Sequence, residues 1–235
     1  MASVSYGIPV ARRDEVTRSD FVVKVYQHLI MAIVAFVATE AVFLRVGVAR
    51  GIYSFISSGG PTWLLIMGGF MVVSWLASSF AHDPHDTTKQ YQGLFMLVAA
   101  EAVIFAPFLY YFFKVQNDGA NTVWSAAAIT ALGFGGLSAV AYTTRKDLSF
   151  LRPMLMWGGV CALVLIVGAL LFGLNLGVWF SLAMIALAGA SILYQTQNVM
   201  QRYPAEAYVG ASVQLFASVM MLFWYVLRLL GQMRR

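Results

Sequence analysis

The sequence predicts an all-α membrane protein, a bundle of seven transmembrane helices, and three observations predict it. Of 235 residues, 60% are hydrophobic and only 11% charged, whereas a soluble domain needs roughly 25% charged residues to cover its surface. The mean hydropathy is +0.77. The apolar residues also gather into seven runs, each near the ~20 residues that cross a ~30 Å hydrocarbon layer.

Residues 1–21 are polar and mixed in charge, which reads as a polar N-terminal segment and not as a secretory signal. Residues 22–235 then form one transmembrane domain, with spans at 22–44, 61–81, 92–113, 122–143, 151–173, 176–198 and 207–230. The breaks between them carry turn-forming residues: SSGGP at 57–61, HDPHDTTK at 82–89, KVQNDGAN at 114–121, TTRKDLSF at 143–150, GLN at 173–175 and QRYPAE at 201–206. Inside lipid each span must satisfy its own backbone hydrogen bonds, so all seven are expected to be helices. The short break at 173–175 demands a tight helical hairpin.

Nine lysines and arginines fall on the N-terminal side of the membrane and six on the other. Cytoplasmic loops hold the excess, so the expectation is an integral membrane protein with its N-terminus cytoplasmic and its C-terminus outside. The same placement accounts for the net charge of +5 without a nucleic-acid partner. Cys161 is alone, so no intrachain disulfide is available, and it reads as a small buried apolar residue. Between lipid-embedded helices close approach depends on small residues. Ala131, Gly135 and Ala139 of the fourth span, with Gly133 and Gly136 beside them, and Ala186 and Ala190 of the sixth mark those two as the expected centre of packing.

A titratable side chain in mid-bilayer costs several kcal/mol on insertion scales and wants an explanation. Glu101 lies in the middle of the third span, six residues before Pro107, which cannot bond the carbonyl of Val103. A buried carboxyl close to a freed carbonyl makes a candidate ion or proton position. The alternative is a protonated acid hydrogen-bonded to a neighbouring helix. Glu40, near the far end of the first span and close in sequence to Arg45 and Arg50, is a candidate interface or latch residue. Gly210, Gln214, Ser218, Met221, Tyr225 and Arg228 recur every three or four residues along the seventh span. That polar stripe should face protein, with Arg228 snorkelling to the interface or acting as a second latch.

Other patterns carry less. The histidines and aspartates of HDPHD read as a solvated loop, and His28 as a packed or interfacial histidine. Neither an intramembrane aspartate pair nor a serine–histidine pair is present, so no enzyme is expected. A retinal protein is excluded, because the seventh span has no lysine to form the Schiff base. No cofactor or metal is expected.

Four segments, taken in order, resemble the transmembrane Bax inhibitor motif family, in its bacterial branch: QYQGLFMLVAAEAVIFAPFLYY at 90–111, RKDLSFL at 145–151, SILYQTQNVM at 191–200 and GASVQLFASVMMLFWYVLRLLG at 210–231. The resemblance implies seven helices with the last held centrally by the other six. It also implies calcium leak, suppression of cell death in eukaryotes, or modulation of a membrane protease in bacteria. In calcium-leak members an aspartate pair from the sixth and seventh helices shares a proton, since two close carboxylates cannot both ionise cheaply. The matching positions here are Gln195 and Ser218, so both acids are gone while Tyr194 and Gln197 remain. A neutral Gln195–Ser218 contact, with Tyr194 and Gln214 nearby, is the expected replacement. Two functions follow as expectations. One is a leak for a cation such as calcium, with altered or absent pH gating and Glu101 as the acid. The other is a non-transporting regulator that binds a membrane quality-control protease.

Overall fold

The computed structural model describes residues 9–58, 62–81, 83, 86–144 and 146–234, and these residues form helices joined by short connections. Seven of the described helices are long and apolar enough to cross a membrane, which makes this an all-α membrane protein. His82 and His85 of the HDPHD loop and Arg145 of RKDLSFL lie outside the described residues. Contacts divide the chain into two compact units, 1–119 with 199–217, and 120–198 with 218–235.

In the first unit, α1 (Glu15–Val46) begins seven residues before the apolar run. The polar segment therefore enters the helix, because Asp14 caps it: its carboxylate accepts from the Thr17 hydroxyl at 2.8 Å and the Thr17 N–H at 3.1 Å. Those two bonds, the hydroxyl's first, hold the Asp14 carboxyl below its ordinary value of 3.8. A group depressed by folding stabilises above its ordinary value and loses that contribution as pH falls through the folded one. The first turn of α1 should therefore loosen below about pH 4, and Asp14→Asn should lack that step. Hydrogen exchange at the Thr17 and Arg18 amides checks this.

Ahead of the cap, Val10 is fully buried and its N–H bonds the Tyr203 carbonyl at 2.9 Å. Pro9 bridges Pro204, and Arg13 reaches Glu206 at 3.4 Å. Residues 9–13 are thus strapped onto the connection that precedes the last helix.

The chain leaves α1 through Gly47 in a left-handed conformation and forms α2 (Val48–Ser57), which the sequence did not suggest. Next come α3 (Thr62–Ala81) and α4 (Thr87–Tyr110), followed by a π turn over Tyr111–Val115. Pro107 lies inside α4, one turn before the π turn begins. Two close helix approaches are at glycines. A Cβ on Gly93 of α4 would lie 2.6 Å from the Ala77 carbonyl oxygen of α3. One on Gly210, in α8 (Tyr208–Met233), would overlap the Ala81 carbonyl oxygen.

In the second unit, α5 (Gly119–Thr143), α6 (Leu151–Phe172) and α7 (Gly177–Gln201) accompany the end of α8. The predicted tight hairpin is present between Phe172 and Gly177, with Gly173 in the left-handed region at φ 66°. Ala162, Met184 and Tyr225 form a buried cluster, covered by Phe180, Met221 and Trp224.

Only part of the small-residue set expected to draw helices together does so: Gly133 faces Leu222 of α8, 3.6 Å from where its Cβ would stand, and Ala190 is half-buried. Ala131, Gly135, Ala139 and Ala186 are exposed, and a Cβ on Gly135 or Gly136 would meet nothing within 4 Å. A small residue permits close approach without compelling it, and the chain uses Gly93 and Gly210 instead. Cys161 is likewise exposed, not buried, on a span of which only 6% is enclosed. By contrast, 61% of the third span and 61% of the seventh are buried, against 6–22% of the other five. The last helix is enclosed, and the third equals it.

Candidate functional site

Buried polar groups in hydrocarbon require partners, and their pairing locates the candidate sites. In the first unit His28 is buried, with Nδ1 2.7 Å from the Lys24 carbonyl and Nε2 2.7 Å from the Tyr91 hydroxyl. A carbonyl only accepts, so Nδ1 carries the proton, and in the neutral ring Nε2 accepts from Tyr91. The Tyr208 ring closes the group, 5.1 Å from the His28 ring, with the Lys24 ammonium 5.8 Å from the Tyr208 centroid. Helices α1, α4 and α8 are thereby joined at the N-terminal side of the membrane.

Beside it Gln90 is fully buried and uses both ends of its amide. Nε2 donates to the carbonyls of Asp83 at 3.0 Å and Glu206 at 3.4 Å, while Oε1 accepts from the Gly210 N–H at 3.1 Å. The Gly210 N–H is one of the first four of its helix, which find no partner within the helix. Gln90 supplies that partner from another helix.

Glu40 and Glu101 are both buried in this unit, at 3% and 7% exposed. Neither oxygen of Glu40 has a hydrogen-bond partner among the described residues. Arg45 and Arg50 are exposed, and neither forms an ion pair with Glu40. Parallel packing of α1 on α4, marked by His28 beside Tyr91 and Phe36 edge-on to Phe105 at 5.3 Å, puts Glu40 nearer the far end than Glu101.

In the second unit the expected Gln195–Ser218 contact is replaced. Ser218 is buried, and its hydroxyl meets Ser191 at 2.9 Å, one helical turn before Gln195. Ser191 and Gln195 share a face of α7, four residues apart, and the crossing with α8 falls on the earlier turn. Gln195 and Tyr194 are half-buried, as is Gln214 in the first unit. Every member of the polar stripe on α8 is buried or half-buried, so it faces protein.

Gln197 repeats the Gln90 arrangement. Its Oε1 accepts from the Leu148 N–H and its Nε2 donates to the Lys146 carbonyl, each at 2.7 Å, fixing the connection ahead of α6 to α7. Arg228 is half-buried and sits 5.6 Å from the Phe180 ring centroid, a cation–π contact in place of a carboxylate latch.

Sequence reasoning missed Gln90 and Ser191. The available signal was an amide or hydroxyl set in an apolar stretch, which is ambiguous until the partner is known. No three histidine, cysteine, aspartate or glutamate side chains converge among the described residues.

The family model described as "Inhibitor of apoptosis-promoting Bax1" matches residues 18–235. A Pseudomonas aeruginosa protein is 34% identical over 140 residues, 58% of this chain and 61% of that one. A Neisseria meningitidis protein is 28% identical over 182 residues, 76% of this chain and 78% of that one. The Escherichia coli protein named modulator of FtsH protease YccA is 37% identical over 103 residues, 43% of this chain and 47% of that one. The chain thus spans under two thirds of the length of the Pseudomonas and Escherichia relatives.

Proposed function

This chain belongs to the Bax inhibitor-1 family, and from that premise we propose that it is a non-transporting regulator that binds and restrains a membrane-embedded protease in a bacterial inner membrane. The observation that carries the proposal is the neutral Ser191–Ser218 contact between α7 and α8. A hydroxyl pair can hold two helices together, but it has no proton to exchange near neutral pH. A gate worked by a shared proton therefore has no titrating group at this contact. The name of the Escherichia coli relative, a modulator of FtsH protease, supports the same reading. In this reading the N-terminus is cytoplasmic and the C-terminus outside, which reporter fusions to each end would test. No chemistry is assigned to the chain itself.

The test is reconstitution of the purified chain in liposomes, alone and with an FtsH-type protease. The expected result is slower cleavage of a membrane substrate, with calcium and proton flux no greater than in empty liposomes. Flux above that level, lowered by Glu101→Gln, would overturn the proposal and establish the second reading, a cation leak. The unpartnered, buried carboxyl of Glu40 and the buried Glu101 are what favour that second reading.

A further inference from the structure

The end of the first unit away from the N-terminus has an unusual charge balance. Residues 40–58, 62–64 and 102–119, which belong to it, contain Arg45, Arg50 and Lys114 against two carboxylates, the exposed Asp118 and the buried Glu40. All three cations are exposed, and none forms an ion pair with a described residue. On the N-terminal side Arg13, Lys24 and Lys89 are paired with carboxylates, whereas Arg12 and Arg18 are exposed and form no ion pair with a described residue.

The short helix α2 gives this basic end a shape. Ala49, Ile52, Tyr53 and Ile56 recur at helical spacing and turn inward, with Tyr53 5.3 Å from the Tyr110 ring and 6.5 Å from that of Tyr111, next to Lys114 in the π turn. The outward surface is itself divided. Arg50, Ser54 and Ser57 lie along one side, while Val48 at 40% and Phe55 at 51% exposed lie along the other. A helix that is apolar on one flank, basic on the other and set beside a tyrosine cluster has the make-up of a segment lying in the membrane–water interface.

We propose that α2, with Arg45 and Lys114, is a binding surface for anionic phospholipid headgroups in the leaflet away from the N-terminus. The apolar flank enters the acyl boundary, and the three cations meet the lipid phosphates. Charge complementarity selects this occupant: three unpaired cations are held at headgroup depth by helices that span the bilayer. An acidic protein would meet the same charges, but it would leave Val48 and Phe55 facing water.

The test uses the full chain reconstituted in phosphatidylcholine bilayers with increasing phosphatidylglycerol, and counts retained phosphatidylglycerol by native mass spectrometry. Each cation near an anionic surface is worth roughly a fivefold change in partition. Arg45→Gln with Arg50→Gln and Lys114→Gln should therefore lower retention by roughly tenfold to a hundredfold. Arg12→Gln with Arg18→Gln should change it little, and Arg45→Lys with Arg50→Lys should leave retention at the parent level, since the attraction is to charge. Helicity and melting of the triple variant should match the parent chain, because the three side chains make no ion pair with a described residue. Unchanged retention in the triple variant would overturn the proposal. So would equal displacement by inorganic phosphate, which indicates a site for free anions, or loss of protease restraint without loss of lipid, which indicates an acidic protein partner. Because restraint and lipid retention are read separately, this proposal and the functional one can fail independently.

Discussion

Alanine in place of Gly210 is expected to cost about 3 kcal/mol, near the upper end of the range for overpacking, and to leave little folded protein at ambient temperature. The added methyl would overlap the Ala81 carbonyl oxygen and lie 3.1 Å from its carbon. These are backbone atoms at the end of α3, so no rotamer change relieves the clash, and either α3 or the start of α8 must move. That movement would also stretch the Gly210–Gln90 bond, so packing and hydrogen bonding fail together. Gly93→Ala should be damaging but less so, its Cβ falling 2.6 Å from the Ala77 oxygen and 3.1 Å from the Ala81 nitrogen. Gly136→Ala meets nothing within 4 Å and should be neutral or slightly stabilising. Thermal unfolding in detergent, followed by helicity, should rank the three in that order. A Gly210→Ala protein that melts with the parent chain would mean that α3 and α8 do not touch where the structure brings them together.

That ranking also shows what a sequence can and cannot say about packing in lipid. The seven spans were legible because hydrocarbon forces uninterrupted apolar helices, and the pairing of the fifth break with a tight hairpin followed from its length. The start of α1 was not, since an Asp14 cap eight residues ahead of the apolar run leaves no hydrophobic mark. VARGIYSFIS does not read as a helix, because its arginine, glycine and serines mask an inward face of only four residues. The stripe of Ala131, Gly135 and Ala139 was misleading for a different reason: small size makes contact possible, and the partner surface decides whether it occurs. The same holds at the polar sites. Ser191 and Gln195 lie on one face of α7, and only the crossing of the two helices determines which of them meets Ser218.

Leucine in place of Gln90 is expected to cost about 3 kcal/mol, although it nearly preserves the volume. Gln90 is fully buried, and its removal leaves the Gly210 N–H and the carbonyls of Asp83 and Glu206 without their amide partner. Each group stranded in this way costs about 1–3 kcal/mol, with the lower figure for carbonyls that water can reach. Gln90→Glu keeps an acceptor for Gly210 while losing both donated bonds, so it should fall between leucine and the parent. Combined with Gly210→Ala, Gln90→Leu should add less than its separate cost, by about 1 kcal/mol, because the two disturb one contact.

The consequence for function runs through Glu206, whose carbonyl Gln90 holds and whose carboxylate meets Arg13 in the strap. Releasing it should speed hydrogen exchange at the Val10 amide, which bonds the Tyr203 carbonyl. If the protease docks at this N-terminal end, a Gln90→Leu protein that still folds should restrain it less, in step with the exchange at Val10. Restraint that stays constant while the Val10 amide opens would place the docking surface elsewhere, and would leave the strap a purely structural device.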